Sequence, residues 1–265
     1  MWRTIGASVI GTSHVATETR CQDHCAYAVV ERAGGDALVI ALADGAGTAT
    51  ASFHGAKTAV EAALAHLTEA LADGALLGDG DAAADELDTR DARDALGAGT
   101  IVECFVAARE RVLAMAAEYG HDPREYASTL LVAVATPDAT LAGQIGDGAI
   151  VVDDGALRAA TWPQQGEYAN ATHFLVQDDA LERLVTVELG AAQRVAVLSD
   201  GLQSLALQYE SQSPYEPFFV PFFAYLESAA KPDAEVEDEL RAYLDSASVN
   251  ARTDDDKSLV LAVRR

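Results

Sequence analysis

Short apolar runs bounded by Asp, Gly and Pro recur along this chain, and each has the length of a buried β-strand. The strands predicted from these runs span residues 5–11, 25–31, 38–43, 128–135, 140–145, 149–152, 184–188, 194–198 and 258–263. A glycine-containing turn separates the second strand from the third, which predicts a β-hairpin. The runs from residue 128 onward, joined by short turns, predict a meander of antiparallel strands.

Two longer stretches, 52–72 and 100–119, instead place apolar residues at the spacing of an amphipathic helix. Gly74 and Gly120 follow them in the position of a C-terminal cap. Shorter helices are predicted at 202–207, 222–229 and 234–247. Loops are predicted at 12–20, 162–173 and 211–221, and a solvated connection or acidic helix start at 74–94. Two consecutive helices after a hairpin favour a helical layer over a sheet.

Composition limits the classes of partner. Half of the 265 residues are hydrophobic, which is enough for a sizeable core in one large domain or two small ones. The 42 acidic and 18 basic residues give a formal net charge of -24. Such a charge argues against nucleic-acid binding and against docking on anionic membranes, because both favour a basic surface.

The location of the protein is predicted from segments that the sequence lacks. No apolar run approaches the roughly 20 residues that span a bilayer, and the first residues lack the charged and apolar regions of a signal peptide. Cys21, Cys25 and Cys104 do not have the spacing of a disulfide framework or of a zinc site. We therefore expect a cytoplasmic protein with reduced thiols.

Aspartates stand at the ends of several predicted strands. Asp44 and Asp200 each follow a buried strand and precede a glycine, and Asp23 opens the strand that pairs with the one before Asp44. Asp147 lies in a turn between strands, and the aspartates at 254–256 precede the last strand. Carboxylates and open glycine carbonyls are ligands suited to Mg²⁺ or Mn²⁺. For each aspartate taken alone, the alternative is a solvated side chain at a turn.

Convergence of these carboxylates would imply a particular chemistry. Clustered carboxylates repel one another, and divalent cations remove that repulsion. Two ions would polarise a water for direct attack on phosphorus, with Asp44 and Asp200 acting through this metal-bound water. The sequence has neither a G-x-S-x-G elbow nor a nucleophilic cysteine in a phosphate-cradling loop. We therefore predict phosphoester hydrolysis without a covalent enzyme intermediate.

Six short motifs occur in a characteristic order and spacing. They are QDH at 22–24, ADGAG at 43–47, STLL at 128–131, IGDG at 145–148, LSDG at 198–201 and DDKSLVL at 255–261. Together they resemble the metal-dependent protein phosphatases of type 2C. The pair GTSH at 11–14 and CQD at 21–23 looks closest to a compact bacterial branch of that family. The resemblance covers nearly the whole chain.

The resemblance implies one phosphatase domain over residues 1–265, with an α+β fold: a four-layer α-β-β-α sandwich with two central antiparallel sheets. It also implies two Mn²⁺ or Mg²⁺ ions, bridged by Asp44, and a third, weaker ion. The ligands that it implies are Asp23, Asp44, Gly45, Asp200 and Asp255, with Asp147 for the third ion. Asp254 and Asp256 are expected to be solvated neighbours.

Three positions depart from the family pattern. Gln22 stands where many members have a glutamate, which removes one negative charge. Ala46 stands where some members have a histidine that acts as general acid. Arg20 is the nearest candidate for the arginine that holds the substrate phosphate, by the bidentate geometry of guanidinium and phosphate.

The implied function is a serine/threonine protein phosphatase whose substrate is a phosphoprotein, the product of a bacterial serine/threonine kinase. Two alternatives stay open. One is a catalytically weak phosphatase-like binding or regulatory module, which Gln22 and Ala46 motivate. The other is a hydrolase of small phosphate esters, for which the loop at 162–173 would form a closed pocket.

Overall fold

The computed structural model describes residues 1–76, 97–164 and 172–265. Most of the predicted connection at 74–94 and the centre of the predicted loop at 162–173 lie outside these residues. The strands are β1 (Trp2–Val9), β2 (His24–Val30), β3 (Ala37–Ala43), β4 (Leu130–Ala135), β5 (Ala139–Ile145), β6 (Ala149–Asp153), β7 (Leu157–Thr161), β8 (Val185–Gly190), β9 (Arg194–Leu198), β10 (Leu207–Gln208), β11 (Ser213–Pro214) and β12 (Lys257–Arg264).

Ten of these strands form two five-stranded antiparallel sheets within the described ranges. The first sheet has the order β1-β12-β9-β6-β7, and the second has the order β2-β3-β4-β5-β8. The predicted hairpin is β2 and β3, and the predicted meander supplies strands to both sheets. The remaining pair, β10 and β11, forms a short ribbon of its own.

The helices of the described residues are α1 (Thr12–Ala16), α2 (Ser52–Leu76), α3 (Ala98–Tyr119), α4 (Gln203–Ala206), α5 (Glu216–Ser228), α6 (Asp233–Leu244) and α7 (Ala247–Asn250). Helices α2 and α3 cover the outer face of the second sheet, and α5 and α6 cover that of the first. In the described part of the chain, no helix combines the length and the apolar character needed to cross a membrane.

The core consists of three apolar layers. Strand β3 is buried on both faces: Leu38, Ile40 and Leu42 face the other sheet, whereas Val39 and Ala41 face α2 and α3. The opposite face of the first sheet packs against α5 and α6. This arrangement is the four-layer α-β-β-α sandwich, and the predicted α+β fold is confirmed.

Tertiary contacts account for several differences from the predicted elements. Residues 12–16 form a helix rather than a loop, because the Ser13 amide and hydroxyl both donate to the carbonyl of Asp254, at 2.9 and 2.7 Å. The α2 helix continues through Gly74 to Leu76, since glycine inside a helix costs only about 1 kcal/mol. Strand β7 was not predicted. It lies at a sheet edge and is only five residues long, and its exposed Arg158 and small alanines weaken the apolar signal.

The prolines of the 211–221 segment mark a helix start rather than an irregular loop. Helix α5 begins at Glu216 with Pro217 in its first turn, where a missing N–H breaks no helical hydrogen bond. Pro221 lies inside α5 and removes one such bond. Burial of Phe218, Phe219 and Phe223 in the adjoining core offsets that loss.

The layer between the two sheets is tightly packed, and this predicts a large cost for a cavity. Ile40 is fully buried there, and we expect Ile40→Ala to lower the free energy of unfolding by about 2–5 kcal/mol. Val29 on the neighbouring strand is 40% exposed, so Val29→Ala should cost less than about 1 kcal/mol. Chemical denaturation of both variants checks this, and equal losses would contradict the layered core.

Candidate metal centre

The register of the β2–β3 hairpin brings two aspartates together. His24 pairs with Ala43 at the end of the ladder, so the next residues, Asp23 and Asp44, lie opposite each other across the two strands. The Asp44 amide donates to Thr129 Oγ1 at 2.9 Å, and the Thr129 amide donates to the Asp44 carbonyl at 2.8 Å. These bonds fix the backbone of Asp44 at the end of its strand.

A serine connects this strand end to the other sheet. Ser199 Oγ donates to Asp23 Oδ2 at 2.7 Å and accepts from the Ser258 amide at 2.9 Å. Asp200, the next residue, therefore lies at the mouth of the same cleft. Ser199 and Thr129 lie inside the LSDG and STLL motifs, but their roles as side-chain partners were not predicted, because serine and threonine are common at any strand end.

The structure brings three of the predicted ligands close together. One carboxylate oxygen from each of Asp44, Asp147 and Asp200 lies within 4.8 Å of the other two. Within the described residues, no ion pair neutralises these three carboxylates or that of Asp23. The arrangement is electrostatically costly for the protein alone and is suited to a divalent cation.

The electrostatics of the cluster raise the pKa of every member. Burial raises the pKa of Asp23 to about 6, although the hydroxyl of Ser199 acts in the opposite direction. Burial and then the charges of Asp23 and Asp200 hold the pKa of Asp44 well above its usual range. Burial, followed by Asp147 and Asp255, does the same for the pKa of Asp200. The pKa of Asp147 is raised mainly by burial.

Three oxygens at the cleft are buried without a hydrogen-bond partner in the described structure. They are Asp23 Oδ1, Asp147 Oδ1 and Gln22 Oε1. Burying such atoms unpaired costs free energy, and a bound cation would remove that cost. The atoms available here as metal ligands are all oxygens, which Mg²⁺ and Mn²⁺ prefer.

The three aspartates before β12 have separate surroundings. Asp255 is exposed and lines, with Asp200, a cavity of about 330 Å³. Asp256 is only 2% exposed, so the expectation of a solvated side chain was wrong for this residue. Its carboxylate accepts from the amides of Gly11 and Gln22, both at 2.6 Å, and lies 3.0 Å from His14 Nδ1.

Close backbone packing explains the glycine that follows Asp200. A Cβ atom on Gly201 would lie 1.9 Å from the carbonyl oxygen of Asp256. Only glycine therefore allows the turn after β9 to pack directly against the segment that carries Asp255. The glycine after Asp44 is similarly confined, since a Cβ on Gly45 would lie 2.9 Å from the Gln22 carbonyl oxygen.

The predicted phosphate-binding arginine lies on the surface. Arg20 is exposed, and its guanidinium stacks over the ring of Phe53 at 4.9 Å from the centroid. Phe53 is the second residue of α2, which directly follows the loop after Asp44. Ala46 in that loop donates its amide to the carbonyl of Ala127 at 2.9 Å.

The fold agrees with solved phosphatases. A bacterial serine phosphatase matches 100% of this chain and 98% of its own, with a TM-score of 0.63 and 12% identity. The catalytic domain of the serine/threonine phosphatase PstP, solved in complex with two manganese ions, matches 99% of this chain and 97% of its own. Its TM-score is 0.55 at 15% identity, so both likenesses concern the fold.

Sequence comparison gives a closer relation. The family described as Protein phosphatase 2C matches residues 10–245. The chain is 38% identical to Serine/threonine-protein phosphatase 3 of Escherichia coli (strain K12) over 266 aligned residues, covering 99% of this chain and 98% of that protein. The predicted family and enzyme class are confirmed, and the chain belongs to the protein phosphatase 2C family.

Proposed function

We propose that this protein is a metal-dependent serine/threonine protein phosphatase that hydrolyses phosphoserine and phosphothreonine in proteins, through one domain over residues 1–265. The observation that carries the proposal is the convergence of Asp44, Asp147 and Asp200 within 4.8 Å, with no ion pair to any of the three among the described residues. The near full-length similarity to a serine/threonine phosphatase supports the substrate class. A phosphoprotein made by a serine/threonine kinase in the cytoplasm is the proposed substrate.

The residues divide into proposed roles. Asp44 would be shared by two Mn²⁺ or Mg²⁺ ions, and the Gly45 carbonyl would bind one of them. Asp200 and Asp255 would complete the site of the other ion. When bound, such ions bring water toward a neutral pKa for direct attack on phosphorus and neutralise the phosphoryl oxygens. Asp147 would hold a third, weaker ion. Asp23, which accepts a hydrogen bond from Ser199, would also contribute its carboxylate to this centre.

A cavity and an exposed arginine near the cleft indicate where a substrate would bind. A cavity of about 500 Å³ opens beside Ala46 and is lined by Arg124, Phe174 and Val176, among others. Its apolar and charged walls suit the residues that flank a phosphorylated side chain. Arg20 is the proposed phosphate ligand at the other side of the same loop, next to Phe53.

One observation supports the alternative of a catalytically weak binding module. Gln22 is 6% exposed, and its amide oxygen is buried without a hydrogen-bond partner. An amide in this position supplies an oxygen but no charge, which would weaken metal binding relative to a glutamate. Turnover of a phosphopeptide distinguishes a weak metal centre from none.

Substitution of the proposed bridging aspartate tests the function directly. We expect purified protein to release phosphate from a phosphothreonine peptide with Mn²⁺ or Mg²⁺ and not with a chelator. Asp44→Asn should lower kcat/KM at least about 100-fold, because metal assistance contributes several kcal/mol. Asp138→Asn, an exposed aspartate between β4 and β5, is the matched control. A folded protein that releases no phosphate under any condition would favour the binding module.

The pH dependence of metal binding follows from the raised pKa of Asp23. Without metal, the protonated carboxyl group of Asp23 stabilises the folded state. This stabilisation is fully present below pH about 4 and is lost as the pH rises through about 6. Bound Mn²⁺ replaces the proton. The rise in Tm on adding Mn²⁺ should therefore be larger above pH about 7 than at pH about 5.5. Thermal melts at both pH values check this, and an equal or reversed shift contradicts it.

The proposed role of Arg20 predicts a defect specific to substrate binding. Arg20→Ala should raise KM for a phosphopeptide about tenfold with little change in Tm, since a charged hydrogen-bond pair contributes about 1.5–3 kcal/mol. Arg158→Ala is the control, because Arg158 is a surface residue that pairs with Asp154. Steady-state kinetics of both variants measure this. Unchanged kinetics for Arg20→Ala would remove Arg20 from the site.

A further inference from the structure

The buried carboxylate of Asp256 connects two segments that carry proposed metal ligands. Asp256 is 2% exposed, and its Oδ2 accepts from the Gln22 amide at 2.6 Å. Gln22 directly precedes Asp23, and Asp256 itself directly follows Asp255. One side chain therefore fixes the backbone beside Asp23 relative to the backbone beside Asp255.

Backbone contacts extend this connection to the other two sides of the cleft. A Cβ on Gly201, the residue after Asp200, would lie 1.9 Å from the carbonyl oxygen of Asp256. A Cβ on Gly45 would lie 2.9 Å from the carbonyl oxygen of Gln22. The backbone of Asp256 and Gln22 is thus packed directly against the loops that follow β9 and β3.

The segment at 11–14 binds the other oxygen of Asp256. Asp256 Oδ1 accepts from the Gly11 amide at 2.6 Å and lies 3.0 Å from His14 Nδ1. A Cβ on Gly11 would lie 2.3 Å from the carbonyl carbon of Asp255, so only glycine allows this close approach. The GTSH motif therefore has a structural explanation, because its first and last residues hold a buried carboxylate beside the cleft.

Asp256 also brings a negative charge to the cleft. Within the described ranges, no lysine or arginine forms an ion pair with it. Burial is the main cause of the raised pKa of Asp23, and the charge of Asp256 adds to that rise. The two carboxylates are therefore close enough to interact. A charge in this place favours a divalent cation without having to touch it.

Gln22 lies beside the same cleft but carries no charge. Its Oε1 is buried without a hydrogen-bond partner in the described structure, and it would lie 4.0 Å from a Cβ on Gly47. Gly47 belongs to the loop that follows Asp44. Gln22 thus offers an oxygen on the Asp44 side, while its backbone amide binds the charged carboxylate of Asp256.

We propose that Asp256 is a positioning residue for the metal centre and supplies the negative charge that the neighbouring Gln22 lacks. This inference rests on the proposed metal-dependent function. Asp256 acts through the residues on either side of the cleft and is not itself a ligand. Partners that orient a metal ligand commonly contribute about 10–100-fold in metal affinity.

Binding of Mn²⁺ to chelator-treated protein tests the inference without any assay of activity. The EPR signal of free Mn²⁺ gives the Kd, and thermal melts without metal check that each variant is folded. We expect Asp256→Asn to raise the Kd about tenfold. Gln22→Glu in the Asp256→Asn background should return the Kd to within about threefold of the parent's, because it restores a charge in the same region.

Substitutions of His14 test the charge without altering the buried carboxylate, and they apply even if Asp256→Asn does not fold. His14 belongs to the short helix α1, and its side chain is 17% exposed. His14→Lys would place a fixed positive charge beside Asp256 and oppose its effect on a cation. The Kd of His14→Lys should therefore exceed that of the neutral His14→Gln at least about threefold. Equal Kd values would contradict the inference.

Asp153→Asn is the matched control for the loss of a partly buried carboxylate. Asp153 lies at the end of β6 away from Asp147 and pairs with Arg194 at 3.0 Å. Its Kd for Mn²⁺ should equal that of the parent.

The outcomes separate this inference from the proposed function. A parent protein that binds Mn²⁺ with a Kd unchanged by Asp256→Asn overturns the inference alone. A double variant that binds as weakly as Asp256→Asn shows a loss of structure rather than of charge, and also overturns it. A parent protein that does not bind Mn²⁺ contradicts the metal centre, and the proposed function with it.

Discussion

Repulsion among buried carboxylates is the constraint on which this cleft depends. Hydrogen-bonded register between strands places Asp23 beside Asp44, and the neighbouring sheet contributes Asp200 at the same edge. The backbone holds these charges close together, whereas their electrostatics favour separation or protonation. A protein stable enough to impose that geometry gains a site that is suited to divalent cations.

Neutral hydroxyl and amide groups around the cleft hold the aspartates in place despite their mutual repulsion. Ser199 bonds Asp23, Thr129 bonds the backbone of Asp44, and glutamine amides hold the turn of Asp147. Asp256 differs from these aspartates because an ionisable side chain lies beside it. Its carboxylate accepts from two backbone amides and lies 3.0 Å from His14 Nδ1. Hydroxyls and amides orient a carboxylate without neutralising it. These partners therefore hold the aspartates in place without pairing them with a fixed cation among the described residues.

Most strands and the hairpin were predictable because the strands are strongly apolar and their turns contain glycine, whereas the four-layer architecture was implied by the family resemblance. The pairing of Asp23 with Asp44 followed from hairpin register alone. Features that depend on contacts distant in sequence were not predicted. Asp256 is indistinguishable from its neighbours until Gly11 and Gln22 are folded against it. Strand β7 and the start of α5 were missed because edge position and core packing outweigh local propensity there.

The most direct measurement is a crystal structure of the protein grown with Mn²⁺, with diffraction recorded at the manganese absorption edge. We expect two anomalous peaks beside Asp44, one in contact with the Gly45 carbonyl and one in contact with Asp200, and a weaker peak at Asp147. This result would identify the acidic cluster as a metal centre independently of activity. Anomalous density at other surface carboxylates, with none at Asp44, would contradict the account.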